Sequence, residues 1–361
     1  MQEAGLLFVI LVLGVFLTLA SDSVNVRGMV VNNFLRVDNI IPNVITPVSW
    51  MAIMAVGVTF VIISGGIDIS VGSIFGCAAL GTCAVLQNLP PDWSPATVLI
   101  AAFITAVGIG AVCGALNGGL IVSLGLHPFI VTLGTMSVLR GIALVSVEAK
   151  SLPAWGKSLP AAFTSGFVSM EWGSGPFAWA RLQPVPMLVM ACIFVCASLL
   201  LSRSVEGRRI YALGGNAEAA RFSGLPVKSL TFRVYLMSGI MAGLAGLLSA
   251  GYYGSANTAT GEGYELTVIA AAVVGGASLS GGRGSALGAV LGAVVIKLIE
   301  NGIDIIQKLD LGFVMITVSK EYSKIIIGCA IIAAVAIDRV SEHLRQHHPA
   351  GAASLIRGKR S

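Results

Sequence analysis

Charge is scarce in this chain: Asp, Glu, Lys and Arg make up 11% of its 361 residues, where a water-soluble domain carries about 25%. With 56% of the residues hydrophobic and a mean hydropathy of +0.90, that shortage argues against a soluble globule, whose apolar surface would aggregate. Cysteine is sparse as well. Cys77, Cys83, Cys113, Cys192, Cys196 and Cys329 all stand in apolar runs without a C-x-x-C, which points away from metal or disulfide chemistry and towards small buried hydrophobes. No G-x-x-x-x-G-K-[ST] occurs, so the chain has no phosphate cradle for ATP; "GGRGSALG" fails that spacing and also fails G-x-G-x-x-G. H-E-x-x-H and G-x-S-x-G are missing too. His127 adjoins Pro128 and the other histidines lie near the C-terminus. Without a catalytic constellation or a metal-ligand cluster, the sequence does not describe an enzyme.

What is present is long apolar runs, among them "AGLLFVILVLGVFLTLA" from Ala4, "VPMLVMACIFVCASLLL" from Val185 and "IIIGCAIIAAVAI" from Ile325. Each approaches the ~20 residues that cross about 30 Å of hydrocarbon as a helix, and the 44 glycines suit membrane helices that pack closely. The fold class is all-α: a polytopic integral membrane protein, residues 1–361 forming one transmembrane domain. About ten spans are expected, some broken or re-entrant, starting near Gly5, Val44, Val71, Ala96, Pro128, Val185, Thr231, Glu265, Ser285 and Ile325. The first run ends in small residues, as a secretory signal does, but "MQEAG" lacks the positive leader, so it reads as a retained span.

Orientation follows the cations. Arg203, Arg208, Arg209, Arg221, Lys228 and Arg233 cluster in one loop, which makes 203–229 cytoplasmic, and the basic tail 339–361 likewise. An even number of spans between the two agrees, and counting backwards puts the N-terminus inside. Between Arg36 and Arg140 no Lys or Arg occurs, so that stretch inherits its topology from the count. A net charge of +5 gathered beside spans sets orientation and does not imply nucleic-acid binding. Residues 148–181 form the main extracytoplasmic segment, with Pro153, Pro160 and Pro176 among Trp155, Trp172 and Trp179; it reads either as a loop resting on headgroups or as a docking surface.

Some local patterns carry chemistry. "SGGIDISVGS" at Ser64–Ser73 sets two glycines and a lone Asp68 between two uncharged runs. The glycines release the helix, and Asp68 or Ser70 can accept from amides freed at the start of the next one. The segment reads as a tight turn near one face, or as a discontinuous helix beside a polar pathway. "GGIDIS" at Gly65 is echoed by "GGASLS" at Gly275, a hint of repeated halves. Gly110, Gly114 and Gly118, and again Gly284, Gly288 and Gly292, fall four apart and present smooth faces to neighbouring helices. Lys297, Glu300 and Asp304 share a face at spacings that allow pairing. In the basic loop, "NAEAARF" is a short helix former capped by Asn216 and stopped by Gly224-Leu225-Pro226.

Glu218-Ala219-Ala220, three residues and Gly224 resemble the EAA–Gly coupling motif of ABC-importer permeases, without that motif's downstream Ile and Leu-Pro. More widely, "SGGIDISVGS", "NGGLIVSLGLHPFIVTLGTMSVLRG" from Asn117, "GRRIYALGGNAEAARFSG" from Gly207 and "GYELTVIAAAVVGGASLSGGRGS" from Gly263 resemble, in order, the ribose-type monosaccharide permeases. His127 departs from the pattern, where a small residue or proline is expected.

The resemblance implies a permease subunit of the bacterial inner membrane that pairs with a second copy or a paralogue. It also implies ATPase subunits on the inside, which hold ATP and Mg so that this chain needs no cofactor, and a soluble sugar-binding protein outside. Asn216, Glu218, Ala219, Ala220 and Gly224 would couple to the ATPase. Asp68, with Asn117, Phe129, Thr132 and Thr135 in the most family-like stretch, would line the pathway. Two other functions stay open. One is an ion-driven transporter using Asp68 and Glu300. The other is a permease for an autoinducer sugar or a branched-chain amino acid, for which Arg140 is the cation available.

Overall fold

The computed structural model describes residues 2–26, 29–148, 150–166, 170–171, 181–182, 184–306, 308–310, 315–317 and 322–347. Trp172, Pro176 and Trp179 of the expected outer loop, and residues 348–361 of the expected tail, lie outside them.

α1 (Gln2–Ala20) leads into an antiparallel hairpin of β1 (Ser23–Val26) and β2 (Met29–Asn32). The next crossing opens with one turn, α2 (Val37–Asn39), widens into a π-helix over Ile40–Ile45, where Pro42 has no amide to donate, and continues as α3 (Thr46–Ile63). α4 (Val71–Leu86), α5 (Pro95–Leu124) and α6 (Pro128–Ser146) follow. Beyond them come β3 (Ser151–Leu152), a π-turn at Ala162–Gly166, β4 (Met170–Glu171) and β5 (Arg181–Leu182). α7 (Pro184–Arg203), α8 (Val205–Gly215), α9 (Ala217–Phe222) and α10 (Val227–Tyr253) come next, then β6 (Ala256–Asn257), α11 (Tyr264–Val274), α12 (Ala286–Ile305), β7 (Lys308–Asp310), β8 (Met315–Thr317) and α13 (Tyr322–His347).

Among the described residues, seven helices are long and apolar enough to cross a bilayer, while Val71–Leu86, Tyr264–Val274 and Tyr322–Ala333 are shorter apolar helices. At 1.5 Å per residue, α4 measures about 24 Å and α11 about 16 Å, less than the ~30 Å of hydrocarbon. Both short helices begin where irregular chain has entered the bundle. The polytopic helical fold is as expected. The basic loop is more ordered than a loop: it is two helices, and α10 starts four residues before Thr231. Residues 339–347 likewise continue α13.

Every residue of α3 is buried. A helix apolar on all sides belongs in the centre, and α3 packs there against α10, α12, α11 and α7. The glycine stripes find the partners their spacing asked for. A Cβ on Gly110 would collide with the Gly239 carbonyl and one on Gly114 with that of Tyr235, so α5 and α10 cross nearly backbone to backbone. Gly288 and Gly292 meet α11 in the same way, at Gly275 and Ala271. Cys192, Cys196 and Cys329 correct one expectation: they are exposed on outward helix faces, where surrounding lipid accepts an apolar thiol as readily as a core does.

The connections sort onto two faces of the bundle. On one, Ser285 donates to Glu3 at 3.1 Å, Gly282 N–H donates to the Ile63 carbonyl at 2.8 Å, and Tyr211 of α8 donates to the Gly284 carbonyl at 2.7 Å. On the other, β3 pairs with β6, and Ala154 N–H donates to Gln87 at 2.9 Å. The cation-free stretch between Arg36 and Arg140 is thereby tied to both faces.

Candidate functional site

The break after α3 is built by its glycines. Gly65 adopts φ +84; Gly66 N–H reaches the Val61 carbonyl and Gly65 N–H that of Ile62, each at 2.9 Å. This is the Schellman pattern of a helix end. Gly276 (φ +96) ends α11 identically, with bonds Ala277→Ala272 and Gly276→Val273. The two echoed sequences therefore share a geometry, although Gly65 corresponds to Gly276 rather than to Gly275.

Beyond Gly66 the chain enters a sealed polar network. Asp68 Oδ1 accepts the Ser70 amide at 3.0 Å and the Ser70 hydroxyl at 2.6 Å. Its Oδ2 accepts Ser238 Oγ of α10 at 2.8 Å. Ser70 Oγ in turn accepts Asn117 Nδ2 of α5 at 2.7 Å, and Asn117 Oδ1 accepts Thr135 Oγ1 of α6 at 2.6 Å. Tyr235 adds a bond to the Ile67 carbonyl at 3.0 Å. Asp68, Ser70, Asn117 and Ser238 are all fully buried. Asp68 holds the amide of Ser70, one residue short of the α4 amides it was expected to cap. Ser70 stands at the N-cap of α4 but makes no capping bond to its helix, because its hydroxyl is already engaged by Asp68 and Asn117.

Three of the residues singled out for a pathway, Asp68, Asn117 and Thr135, thus meet in one network joining four helices. Thr132 is buried and bonds back to the Pro128 carbonyl at 3.0 Å. Phe129 lies on the exposed side of α6, 44% accessible. His127, the departure from the family pattern, caps α6 by accepting the Phe129 amide on Nδ1 at 3.3 Å.

The second site is the basic loop. Asn216 Oδ1 accepts the Ala219 amide at 2.8 Å and starts α9. Gly224 (φ +78) ends it, with Leu225 N–H on the Ala220 carbonyl and Gly224 N–H on that of Arg221. Ala220 is buried against the body, whereas Glu218, Ala219 and Gly224 are exposed. Phe222, which no sequence argument picked out, is 89% exposed; its signal was an aromatic closing a short polar helix. α8 anchors this knob. Gly214 packs so closely on the Ile63 carbonyl and the Gly282 amide that a Cβ would not fit, and Glu206 pairs with Arg209 at 3.1 Å and with Arg233 at 3.2 Å. The knob is fastened to the end of α3, directly beside the break.

Lys297 and Glu300 pair at 3.0 Å, as their spacing predicted. Arg140 is engaged too: Nη1 donates to the Thr260 carbonyl at 2.8 Å, and Nη2 lies 3.9 Å from Glu265 Oε2. Glu265 was not foreseen as a partner; the signal was a carboxylate opening an apolar helix.

Residues 40–335 match the family described as branched-chain amino acid transport system / permease component. The D-allose transport system permease protein of Escherichia coli K12 is 35% identical over 308 residues, 85% of this chain and 85% of its own. The ribose import permease protein of the same strain is 35% identical over 85% of this chain and 87% of its own. Its galactose/methyl galactoside import permease protein is 36% identical over 82% and 85%. A helical bundle closed around a charge-free central helix, matched over most of its length, therefore belongs to the branched-chain amino acid transport system permease component family.

Proposed function

We propose that this chain is the membrane-spanning subunit of an ATP-driven importer of a monosaccharide. The observation that carries this is the near full-length similarity, at 35–36% identity, to permeases named for allose, ribose and galactose. The subunit provides a pathway and no hydrolysis; ATP with Mg is held by separate ATPase subunits on the cytoplasmic side. A sugar-binding protein delivers substrate outside, and a second permease copy completes the pathway in the bacterial inner membrane.

In this reading the face carrying Glu3, α8 and α9 is cytoplasmic, as are both termini, and the face carrying residues 150–162 is extracytoplasmic. Asn216 and Gly224 shape the coupling knob, Ala220 seats it, and Glu218, Ala219 and Phe222 meet the ATPase. Closure of the ATPase moves α9, α8 transmits the push to the Ile63 end of α3, and the Asp68–Ser70–Asn117–Thr135 network holds the break together as the pathway changes its open side. Thr132 and Phe129 carry that wall along α6.

Neutral solutes suit the polar groups better than amino acids do. Arg140, the cation that a substrate carboxylate needs, already faces Glu265, whose charge repels a second anion. An ion-driven cycle is also poorly served, since Asp68 is enclosed by three donors and Glu300 is paired with Lys297.

The test is Glu218→Lys in cells that also carry the cognate ATPase and binding protein. Uptake of labelled ribose, allose and galactose should be abolished while the amount of permease in the membrane is unchanged. Normal uptake by this variant removes the coupling role, and uptake into vesicles without the ATPase removes the ATP-driven reading.

A further inference from the structure

The sugar reading leaves one embedded ion pair without a task. Arg140 on α6 and Glu265 in the first turn of α11 are each about four-fifths buried. Arg140 Nη1 is satisfied by the Thr260 carbonyl at 2.8 Å, and Glu265 Oε1 accepts the Gly263 amide at 3.3 Å. The other two atoms, Nη2 and Oε2, are shielded and make no hydrogen bond among the described residues, and the 3.9 Å between them is too long for one. Charged atoms left unmet in a medium of low dielectric are costly. The arrangement marks a place where a third polar partner completes the set.

The surroundings say where that partner comes from. Residues 254–263 are almost entirely irregular, yet they run down beside α4: a Cβ on Gly76 would meet the Thr260 carbonyl, and one on Gly72 both Glu265 Oε2 and the Gly261 carbonyl. About 15 Å of helix separates Gly76 from the end of α4 at Leu86. Irregular backbone at that depth persists only inside protein or along water. This stretch exposes Asn257, Ala259 and Glu262, which hydrocarbon does not cover. Beside the pair, the half-buried ring of Tyr264 stacks on Phe75 with centroids 5.3 Å apart.

We propose that Arg140 and Glu265 form a hydroxyl-reading station about halfway down the translocation pathway, floored by residues 254–263. As the pathway opens it uncovers both atoms: Nη2 donates to one hydroxyl of a passing sugar, Oε2 accepts from its neighbour, and Tyr264 backs the sugar's apolar face. One cation against one anion leaves the station neutral, suited to a polyol. The proposal rests on the sugar reading above.

The test compares parent and Glu265→Gln in cells carrying the complete importer, with initial uptake of the same three sugars normalised to permease in the membrane. Glutamine keeps the shape and an acceptor for Gly263 while halving the acceptor set. The ratio of rates among the sugars should shift at least fivefold. A purely structural pin lowers all three by one common factor; that result, or unchanged uptake, overturns the station. If Glu265→Gln fails to insert, Glu262→Cys at an exposed position decides. A membrane-impermeant maleimide should label it from outside above the parent's background, and a saturating transported sugar should slow that labelling at least threefold. No labelling, or labelling indifferent to sugar, overturns the station. A parent chain that moves none of the three sugars fails one step earlier, overturning the sugar reading and the station with it.

Discussion

Asp68 gives two oxygens to three donors, and the carboxylate is fully buried. Replacing it with alanine leaves the Ser70 amide and the hydroxyls of Ser70 and Ser238 short of an acceptor in a fully buried place. Each unmet group costs about 1–3 kcal/mol, so Asp68→Ala should lower the melting temperature in detergent by several degrees. Asn117→Ala acts on the same network through Ser70; the double variant should lose less than the sum of the two. Strict additivity in thermal unfolding would dissolve the network into independent bonds. At this scale the sequence exposed the break, because a lone carboxyl between charge-free runs has few uses. It did not expose Ser238, one more small polar residue in an apolar helix, 170 positions away and identifiable only by what it touches.

Among the elements, the glycine-lined crossings and the α9 knob carry the architecture. Gly114→Leu drives a side chain into the backbone of α10 at Tyr235 and Leu236, whereas Gly119, on the same helix, has open space where its Cβ would be. Overpacking costs about 1–3 kcal/mol where neighbours can shift, and a backbone cannot. Gly114→Leu should therefore abolish the monodisperse peak in size-exclusion chromatography, and Gly119→Leu should keep it; equal behaviour would deny that α5 and α10 meet there. The stripes were legible because four-residue spacing places residues on one helix face whatever surrounds the helix. Their partners were not: nothing in "GAVCGALNG" names α10. For α9 the start and stop were both readable, since an Asn cap and a Gly in the left-handed region are local devices.

For the molecule as a whole, the two faces of the bundle decide orientation. In intact cells, cysteine placed at Trp155, which is fully exposed, should react with a membrane-impermeant maleimide, while cysteine at Ser223, beside the knob, should react only after the membrane is opened. The reverse pattern would invert the proposed topology and remove α9 from the reach of a cytoplasmic ATPase. Cation counting supplied this orientation for the basic loop. For residues 37–139 it is the hydrogen bonds of Ile63 with Gly282, and of Gln87 with Ala154, that join each end of α4 to a face.

The sequence alone determined the solvent, the helical class, the positions of the breaks and the capped knob. Each of these follows from composition or from interactions within a few residues. Only the tertiary structure decided that the knob is bolted to the end of α3, that four helices share one buried network, and that Arg140 stands opposite Glu265. Those facts join residues 18 to 170 positions apart, and in a chain this uniformly apolar no charge pattern marks which surfaces will meet.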